Sequence, residues 1–353
     1  MKFWQLLLLP FSYLYGSITY LRNKCFDIGL LPVSEYKSTV ISVGNLTAGG
    51  TGKTPHIEYL IRLIKDKYSV ATLSGGYGRK KSGFVLATDV STAREIGDEP
   101  RQFKKKFPDI MVAVDKKRRR GIKKILDKKP DMHTILLDDA FQHRYVKPGL
   151  SILLTDYAKM YYNDTMLPSG TLREFTSGIE RADIIIVSKT PSIFSPLDRR
   201  LLLKKIAAEE YQRVYFSYIK YGEMIPCSTV QEHKELVSLD KNLSVLLLTG
   251  IANPTPLEQY LQFKVKKIIP CEYSDHHNYT VKDVEALEKT FGDITNKNKI
   301  IITTEKDAMR LEKSELQEIL KKLPLYYIPI EIAFHEKDQE DFNRHILNYV
   351  RTT

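Results

Sequence analysis

The residues best placed for chemistry begin at the end of an apolar run, Ile41-Ser42-Val43, which stops at Gly44-Asn45-Leu46-Thr47-Ala48-Gly49-Gly50-Thr51-Gly52-Lys53-Thr54-Pro55. Small residues let backbone N–H groups close around phosphate oxygens, Lys53 adds a mobile positive charge, and the Thr54 hydroxyl can reach a Mg²⁺ ion. The spacing departs from the common Walker A pattern, because Thr47 stands where the first glycine belongs and Gly44 comes too early to replace it. Glycine-rich turns also occur without nucleotide, but the apolar run before the loop and the helical pattern after it both favour a phosphate cradle. A second apolar run, Thr134 to Leu137, closes on Asp138-Asp139, where a carboxylate at a strand end can hold Mg²⁺ facing the phosphate loop; adjacent aspartates also cap helices. Asp98, in Gly97-Asp98-Glu99-Pro100, reads by composition as a helix N-cap. Arg79, in Gly75-Gly76-Tyr77-Gly78-Arg79, suits either a phosphate clamp or an ordinary surface position. His276 and His277 precede Thr280 and Asp283, a capping-box pair, so both histidines lie in a loop free to face a cleft.

These residues need strands and helices to position them. Ile57 to Lys67 has the apolar spacing of an amphipathic helix, Ser69 to Leu73 of the next strand, and Gln102 to Phe107 of another helix. Strand, helix, strand with glycine-rich turns at the strand ends predicts a doubly wound α/β domain. Leu167 to Glu174 reads as a turn and helix entry, and Asp183 to Ser188 as a buried strand followed by Lys189-Thr190-Pro191. The Asn-Lys-x-Asp guanine reader is not found there. The pattern turns irregular between Tyr215 and Lys241, the best candidate for a connection between domains, and a second α/β unit starts with the strand Leu243 to Thr249. Ile300 to Thr304 supplies a further strand, closed by Glu305-Lys306-Asp307.

The chain has 353 residues, 42% of them hydrophobic, enough for two domains of about 100–200 residues each with ample core. A net charge of +11 calls for an anionic partner: a membrane surface, a phosphorylated substrate or nucleic acid. Lys116 to Lys129 forms a helix with a cationic face, but it lacks the interleaved aromatic residues that stack on bases, which argues against nucleic acid. Cys25, Cys227 and Cys271 are odd in number and far apart, which suits a reducing compartment and offers neither a zinc site nor a disulfide framework. Phe3 to Leu21 is uncharged, with Lys2 before it and Arg22 and Lys24 after it. Its Gln5, Pro10, Ser12, Ser17 and Thr19 suit an interfacial helix better than a spanning one, with Trp4, Tyr13, Tyr15 and Tyr20 at headgroup level, while a core helix remains the other reading.

In order behind that helix, V-G-N-L-T-A-G-G-T-G-K-T-P, G-Y-G-R, G-D-E-P, D-D-x-F-Q-H, L-P-x-G-x-L-R-E, D-H-H-x-Y-T and T-T-E-K-D resemble the tetraacyldisaccharide 4′-kinases of lipid A biosynthesis over nearly the whole chain. Gly75 departs from the arginine frequent there, and Ala140 from the usual glycine. The resemblance implies two α/β/α domains of the P-loop NTPase type joined by a short linker: a membrane-associated helix at 1–26, a kinase domain at 27–215, a linker at 216–242 and a smaller domain at 243–353. It also implies ATP and Mg²⁺ as cofactors, and as substrate a tetraacylated glucosamine disaccharide 1-phosphate at the cytoplasmic face of the inner membrane. Thr47, Ala48, Gly49, Gly50, Thr51, Gly52, Lys53 and Thr54 would bind ATP; Thr54, Asp138 and Asp139 would hold the metal. Asp98 would be the general base paired with His276, with His277 the alternative, and Arg79, Arg173 and Glu174 would contact substrate or phosphate. The competing expectation is a membrane-associated P-loop ATPase switch. Oligomeric state is not set by these patterns.

Overall fold

A computed structural model describes residues 3–227, 238–335 and 337–352, with the side chains of Phe3 and Trp4 left out. The expected anchors Lys2 and Trp4, and the central part of the expected linker, therefore lie outside the described residues. The chain divides into two units, Met1–Lys220 with Ile332–Thr353, and Tyr221–Glu331.

In the first unit, β1 (Thr39–Asn45), β2 (Val70–Ser74), β3 (Val85–Leu86), β4 (Met111–Val114), β5 (Thr134–Asp138), β6 (Leu150–Asp156), β7 (Ile184–Ser188) and β8 (Arg213–Tyr221) join a sheet with β14 (Ile330–Phe334). The described order is β14-β8-β7-β6-β1-β5-β2-β4-β3, and β1 pairs in parallel with both β5 and β6. Strands following β1 are thus laid first on one side of it and later on the other, which makes its carboxyl end a topological switch point. The strands at the centre are buried on both faces, so they read as near-continuous Val, Ile and Leu runs. Helices α2 (Lys53–Ile64), α3 (Ala93–Ile96), α4 (Asp98–Lys106), α5 (Arg118–Lys128) and α6 (Pro196–Ile206) fill the crossovers, preceded by α1 (Phe3–Asp27). The second unit repeats the logic with β9 (Ile225–Pro226), β10 (Ser244–Thr249), β11 (Lys267–Glu272), β12 (Lys299–Thr304) and β13 (Leu325–Ile328) in the order β11-β10-β12-β13-β9. Its helices are α7 (Thr255–Gln262), α8 (Val281–Gly292), α9 (Glu305–Leu311) and α10 (Gln317–Leu320).

Several expectations change. The expected irregular linker begins as a regular strand: β8 pairs in parallel with β7, Ile184 opposite Arg213. The expected second domain does not run to the C-terminus either. Residues 332–353 belong to the first unit, where Phe342, Ile346 and Val350 of α11 (Asp338–Thr352) enter the same core as Ile57 and Ile61 of α2. The segment expected as a helix entry after Leu167 is irregular until a 3₁₀ turn at Thr176–Arg181.

Helix α1 inverts the usual pattern. Leu7, Phe11, Leu14, Ile18 and Leu21 recur on one helical face and are each about 60% exposed, at 62%, 61%, 61%, 59% and 62%. Its inward face is polar. Ser169 N–H donates to Ser12 Oγ at 3.0 Å, Tyr15 Oη to the Arg173 carbonyl at 3.1 Å, and Asn23 Nδ2 to Glu174 Oε2 at 2.7 Å. Tyr15 belongs to an apolar cluster with Leu172 and Phe175, so one face of α1 packs on the fold while an apolar stripe stays exposed.

Candidate active site

The phosphate loop leaves the carboxyl end of β1 and enters α2 through Gly52, whose φ of 85° is the left-handed conformation that glycine adopts without a Cβ clash. A Cβ built at Gly49 or Gly50 would meet nothing within 4 Å, so the loop's outer side is open. Its inner side is braced. Ala48 N–H donates to the Thr171 carbonyl at 2.6 Å, Asn45 Nδ2 to the Thr47 carbonyl at 2.7 Å, and Ser188 Oγ to the Thr51 carbonyl at 2.8 Å. Lys189, at the position where a guanine reader was sought, donates to the Gly50 carbonyl and to Asp156. The Thr51 hydroxyl is buried without a hydrogen-bond partner, and Thr54 is buried at the start of α2.

Lys53 Nζ donates to Asn45 Oδ1 at 3.1 Å and lies 3.5 Å from Asp139 Oδ1. Burial pulls this ammonium below its usual value, against the opposing pull of Asp139. Asp139 has a φ of 48°, unusual for a non-glycine residue, and receives Arg173 NH1 on both carboxylate oxygens at 2.9 and 3.1 Å. Burial would raise its carboxyl, but Lys53 and Arg173 outweigh burial and hold it below the ordinary value. Asp138, one residue earlier, behaves oppositely: burial first, then Glu99 and Asp139, push it up to about 6, while Ser74 Oγ donates to it at 3.1 Å. Adjacent carboxylates thus carry different proton affinities, because burial dominates at Asp138 while Lys53 and Arg173 outweigh it at Asp139.

The other expected site residues separate into several groups. Asp98 is not an N-cap: Gly97 occupies that position with a φ of 97°, and Asp98 is the first residue of α4. Gly97 lies against the glycine-rich turn, since a Cβ there would be 3.2 Å from the Tyr77 carbonyl oxygen. Arg79 donates to the carbonyls of Gly83 at 2.6 Å and Val114 at 3.4 Å, which braces the loop. Glu174 is 3% exposed and accepts from Asn23, Gln142 and Arg181 at 2.7, 2.9 and 2.7 Å, which ties its carboxylate into the fold. In the second unit, His277 Nε2 lies 3.1 Å from Asp283 Oδ2 and its ring stacks on Tyr273, tying it to the start of α8. His276 has a φ of 59° and its Nδ1 lies 3.0 Å from Arg310 NH2.

Sequence reasoning passed over Arg118. It lies within the cationic stretch from Lys116 to Lys129, yet it is 4% exposed and donates to the carbonyls of Asp115 at 2.6 Å and Asp138 at 2.9 Å. Its spacing to Ile122 and Ile125, both fully buried, placed it on the apolar stripe of α5 and was the available signal. A Cβ at Gly75 would lie 3.2 Å from Arg118 NH2, so this guanidinium fills the space in front of the position that departs from the family pattern. Gln142, quoted only within a motif, links Asn45 and Glu174 through its amide at 2.9 Å to each.

The tetraacyldisaccharide-1-P 4′-kinase family model matches residues 4–351. A tetraacyldisaccharide 4′-kinase of Bacteroides thetaiotaomicron is 46% identical over 355 residues, covering 98% of this chain and 93% of that protein. One of Flavobacterium johnsoniae is 44% identical over 345 residues, with 98% and 97% covered. Among solved structures, the "apo" form of LpxK from Aquifex aeolicus in complex with ATP is similar with a TM-score of 0.72 and 27% identity, over 98% of this chain and 99% of that one.

Proposed function

The chain belongs to the tetraacyldisaccharide-1-P 4′-kinase family, and we propose that it performs that reaction with the residues gathered at the carboxyl ends of β1 and β5. It is an ATP-dependent lipid kinase of lipid A biosynthesis, phosphorylating the 4′-hydroxyl of a tetraacylated glucosamine disaccharide 1-phosphate. The observation that carries the site assignment is Asp139 held between Lys53 at 3.5 Å and Arg173 at 2.9 Å, directly beside an open glycine-rich loop.

Lys53 and the loop from Thr47 to Thr54 would hold the β- and γ-phosphates, and Arg173 would add charge where the transferred group passes. The donor set fits Mg²⁺: two carboxylates and the Thr54 hydroxyl are hard oxygen ligands, and a cation that keeps several waters and phosphate oxygens needs few protein ligands. Asp138, Asp139 and Thr54 would hold it, and it would neutralise charge on the transferring phosphoryl group. Asp98 would serve as the general base that receives the hydroxyl proton, and of the two loop histidines His276 is the one assigned to the reaction, with His277, which bonds Asp283, the alternative. The membrane reading extends this assignment. The exposed apolar stripe of α1 rests on an anionic surface at the cytoplasmic face of the inner membrane, where the lipid substrate lies.

Incubating the protein with γ-labelled ATP and Mg²⁺, with and without the tetraacyl disaccharide 1-phosphate, tests the reading. Label in the lipid, absent when Mg²⁺ is chelated, is the expected result. Phosphate release that ignores the lipid would replace the kinase with an ATPase switch.

A further inference from the structure

Three consecutive carbonyls of the phosphate loop are held by side chains from outside it. His56 Nδ1 lies 2.7 Å from the Gly52 carbonyl oxygen, Ser188 Oγ donates to the Thr51 carbonyl at 2.8 Å, and Lys189 Nζ donates to that of Gly50. A carbonyl only accepts, so the His56 ring carries a proton on Nδ1 in this contact. The ring is the main partner of Gly52, because the helical bond from the His56 N–H to the same oxygen is long, at 3.3 Å. Ser188 has one hydroxyl proton and a second carbonyl in reach, Thr155 at 3.2 Å, so the shorter bond to Thr51 takes it. The donors are themselves fixed. His56 Nε2 lies 3.0 Å from Ser217 Oγ on β8, and the Ser217 carbonyl accepts from both the N–H and the hydroxyl of Thr190 at 3.0 Å each. Lys189 also donates to Asp156 at 2.7 Å, at the end of β6. Ser217 thus serves α2 with its hydroxyl and the turn after β7 with its carbonyl. That turn is where a guanine reader was sought, and its Ser188 and Lys189 bond the phosphate loop instead.

A trans peptide points its C=O and its N–H in opposite directions. His56 and Ser188 are buried, at 3% and 0% exposure, so the carbonyls they hold are turned into the fold. The N–H groups on the far side of the three held peptides, those of Thr51, Gly52 and Lys53, are therefore turned away from these donors. Thr51 N–H is spent on the Gly49 carbonyl at 3.2 Å, which leaves Gly52 and Lys53 to meet an anion. Glycine takes positive and negative φ with similar ease, so an unclamped loop could flip the peptides around Gly50 and Gly52 and aim a carbonyl at the phosphates. We propose that His56, Ser188 and Lys189 are positioning residues that lock these peptides with their N–H groups toward ATP, His56 setting the Lys53 N–H through the Gly52 carbonyl. This deepens the phosphate-holding role proposed for the loop and rests on it.

Gly52-Lys53 is the only glycine–lysine step in the sequence, so full-length protein labelled with ¹³C at glycine carbonyls and ¹⁵N at lysine gives one correlated amide signal, that of Lys53. With ADP and Mg²⁺ this proton should move downfield in the wild type, as an amide does on bonding a phosphate oxygen. A wild-type signal that ignores ADP would remove the phosphate role of the loop itself, a failure distinct from that of the clamp. His56→Phe should broaden or double the signal and raise the Kd for ADP roughly 5- to 10-fold, the loss of about one hydrogen bond. His56→Asn, whose amide reaches the place of Nδ1, should restore most of that affinity, whereas His56→Gln, whose amide reaches the place of Nε2, should not. One sharp, ADP-responsive signal with an unchanged Kd in His56→Phe overturns the clamp, and equal losses in the Asn and Gln variants overturn the role of Nδ1. Melting temperatures separate lost folding from lost binding. Where His56→Phe does not fold, Ser188→Ala removes a single hydroxyl and carries the test: the same rise in Kd is expected, and an unchanged Kd overturns the proposal.

Discussion

Lys53 and Glu174 are both charged side chains drawn into the protein close to the phosphate loop, and their surroundings assign them opposite duties. Lys53 has Asn45 at 3.1 Å and Asp139 at 3.5 Å as its partners, and burial disfavours its ammonium. Glu174 has its carboxylate filled by Asn23, Gln142 and Arg181. Lys53→Ala should therefore lower kcat by about 10²-fold or more with little change in melting temperature. Glu174→Ala should do the reverse: it strands the partly buried Arg181 guanidinium and two amide donors, costing about 2–4 kcal/mol and roughly 5–10 °C in Tm. Steady-state rates and thermal melts on both variants would expose an error, since equal stability losses would mean that Lys53 is a structural residue too. Both residues were legible as candidates from type and motif. What separated them was which partners the fold brings, and those lie 151 positions away for Asn23 and 8 for Asn45.

At the scale of elements, the strand runs were readable because strands buried on both faces leave long apolar stretches, and β1, β2, β5, β7, β10 and β12 lie close to where those stretches were marked. Strand β8 was not readable, because only its central residues are buried and its ends alternate with exposed and charged positions. Helix boundaries slipped where glycines with positive φ, such as Gly52 and Gly97, start helices without a side-chain cap. Gly44 shows what element contacts demand of one residue. A Cβ there would lie 2.6 Å from Phe141 Cβ and 2.8 Å from the Phe141 nitrogen, so at this point β1 and the turn after Asp139 approach too closely for any side chain. Gly44→Ala should destabilise the protein by about 1–3 kcal/mol and lower kcat as well, because backbone on one side must shift and the turn carries Asp138 and Asp139. Full activity with full stability would show that this contact does not set the acidic turn.

At the scale of the whole chain, each unit places its candidate residues after strands flanking its first long central strand, β1 in one and β10 in the other, where open α/β sheets leave a crevice. The repeat of that rule was foreseeable from strand spacing; the return of residues 332–353 to the first unit was not, because a helix packing on a remote core carries the same periodicity as one packing nearby. Helix α1 supplies the sharpest whole-molecule test. Among the described residues no helix is long and apolar enough to cross a membrane, and the inward face of α1 is fastened by Ser12, Tyr15 and Asn23. Its outward stripe makes none of those bonds. Exposed leucines on one face of a cationic protein are the pattern of an interfacial helix, and each fully buried apolar side chain contributes about 1.5–3 kcal/mol to partitioning. Replacing Leu7, Phe11, Leu14 and Ile18 together by Ser should thus leave the melting temperature nearly unchanged while abolishing co-sedimentation with anionic vesicles. Removing residues 1–21 should also abolish vesicle binding, but it breaks the polar fastening as well, so only the stripe variant separates membrane contact from folding. Undiminished vesicle binding by that variant would move the membrane contact away from α1.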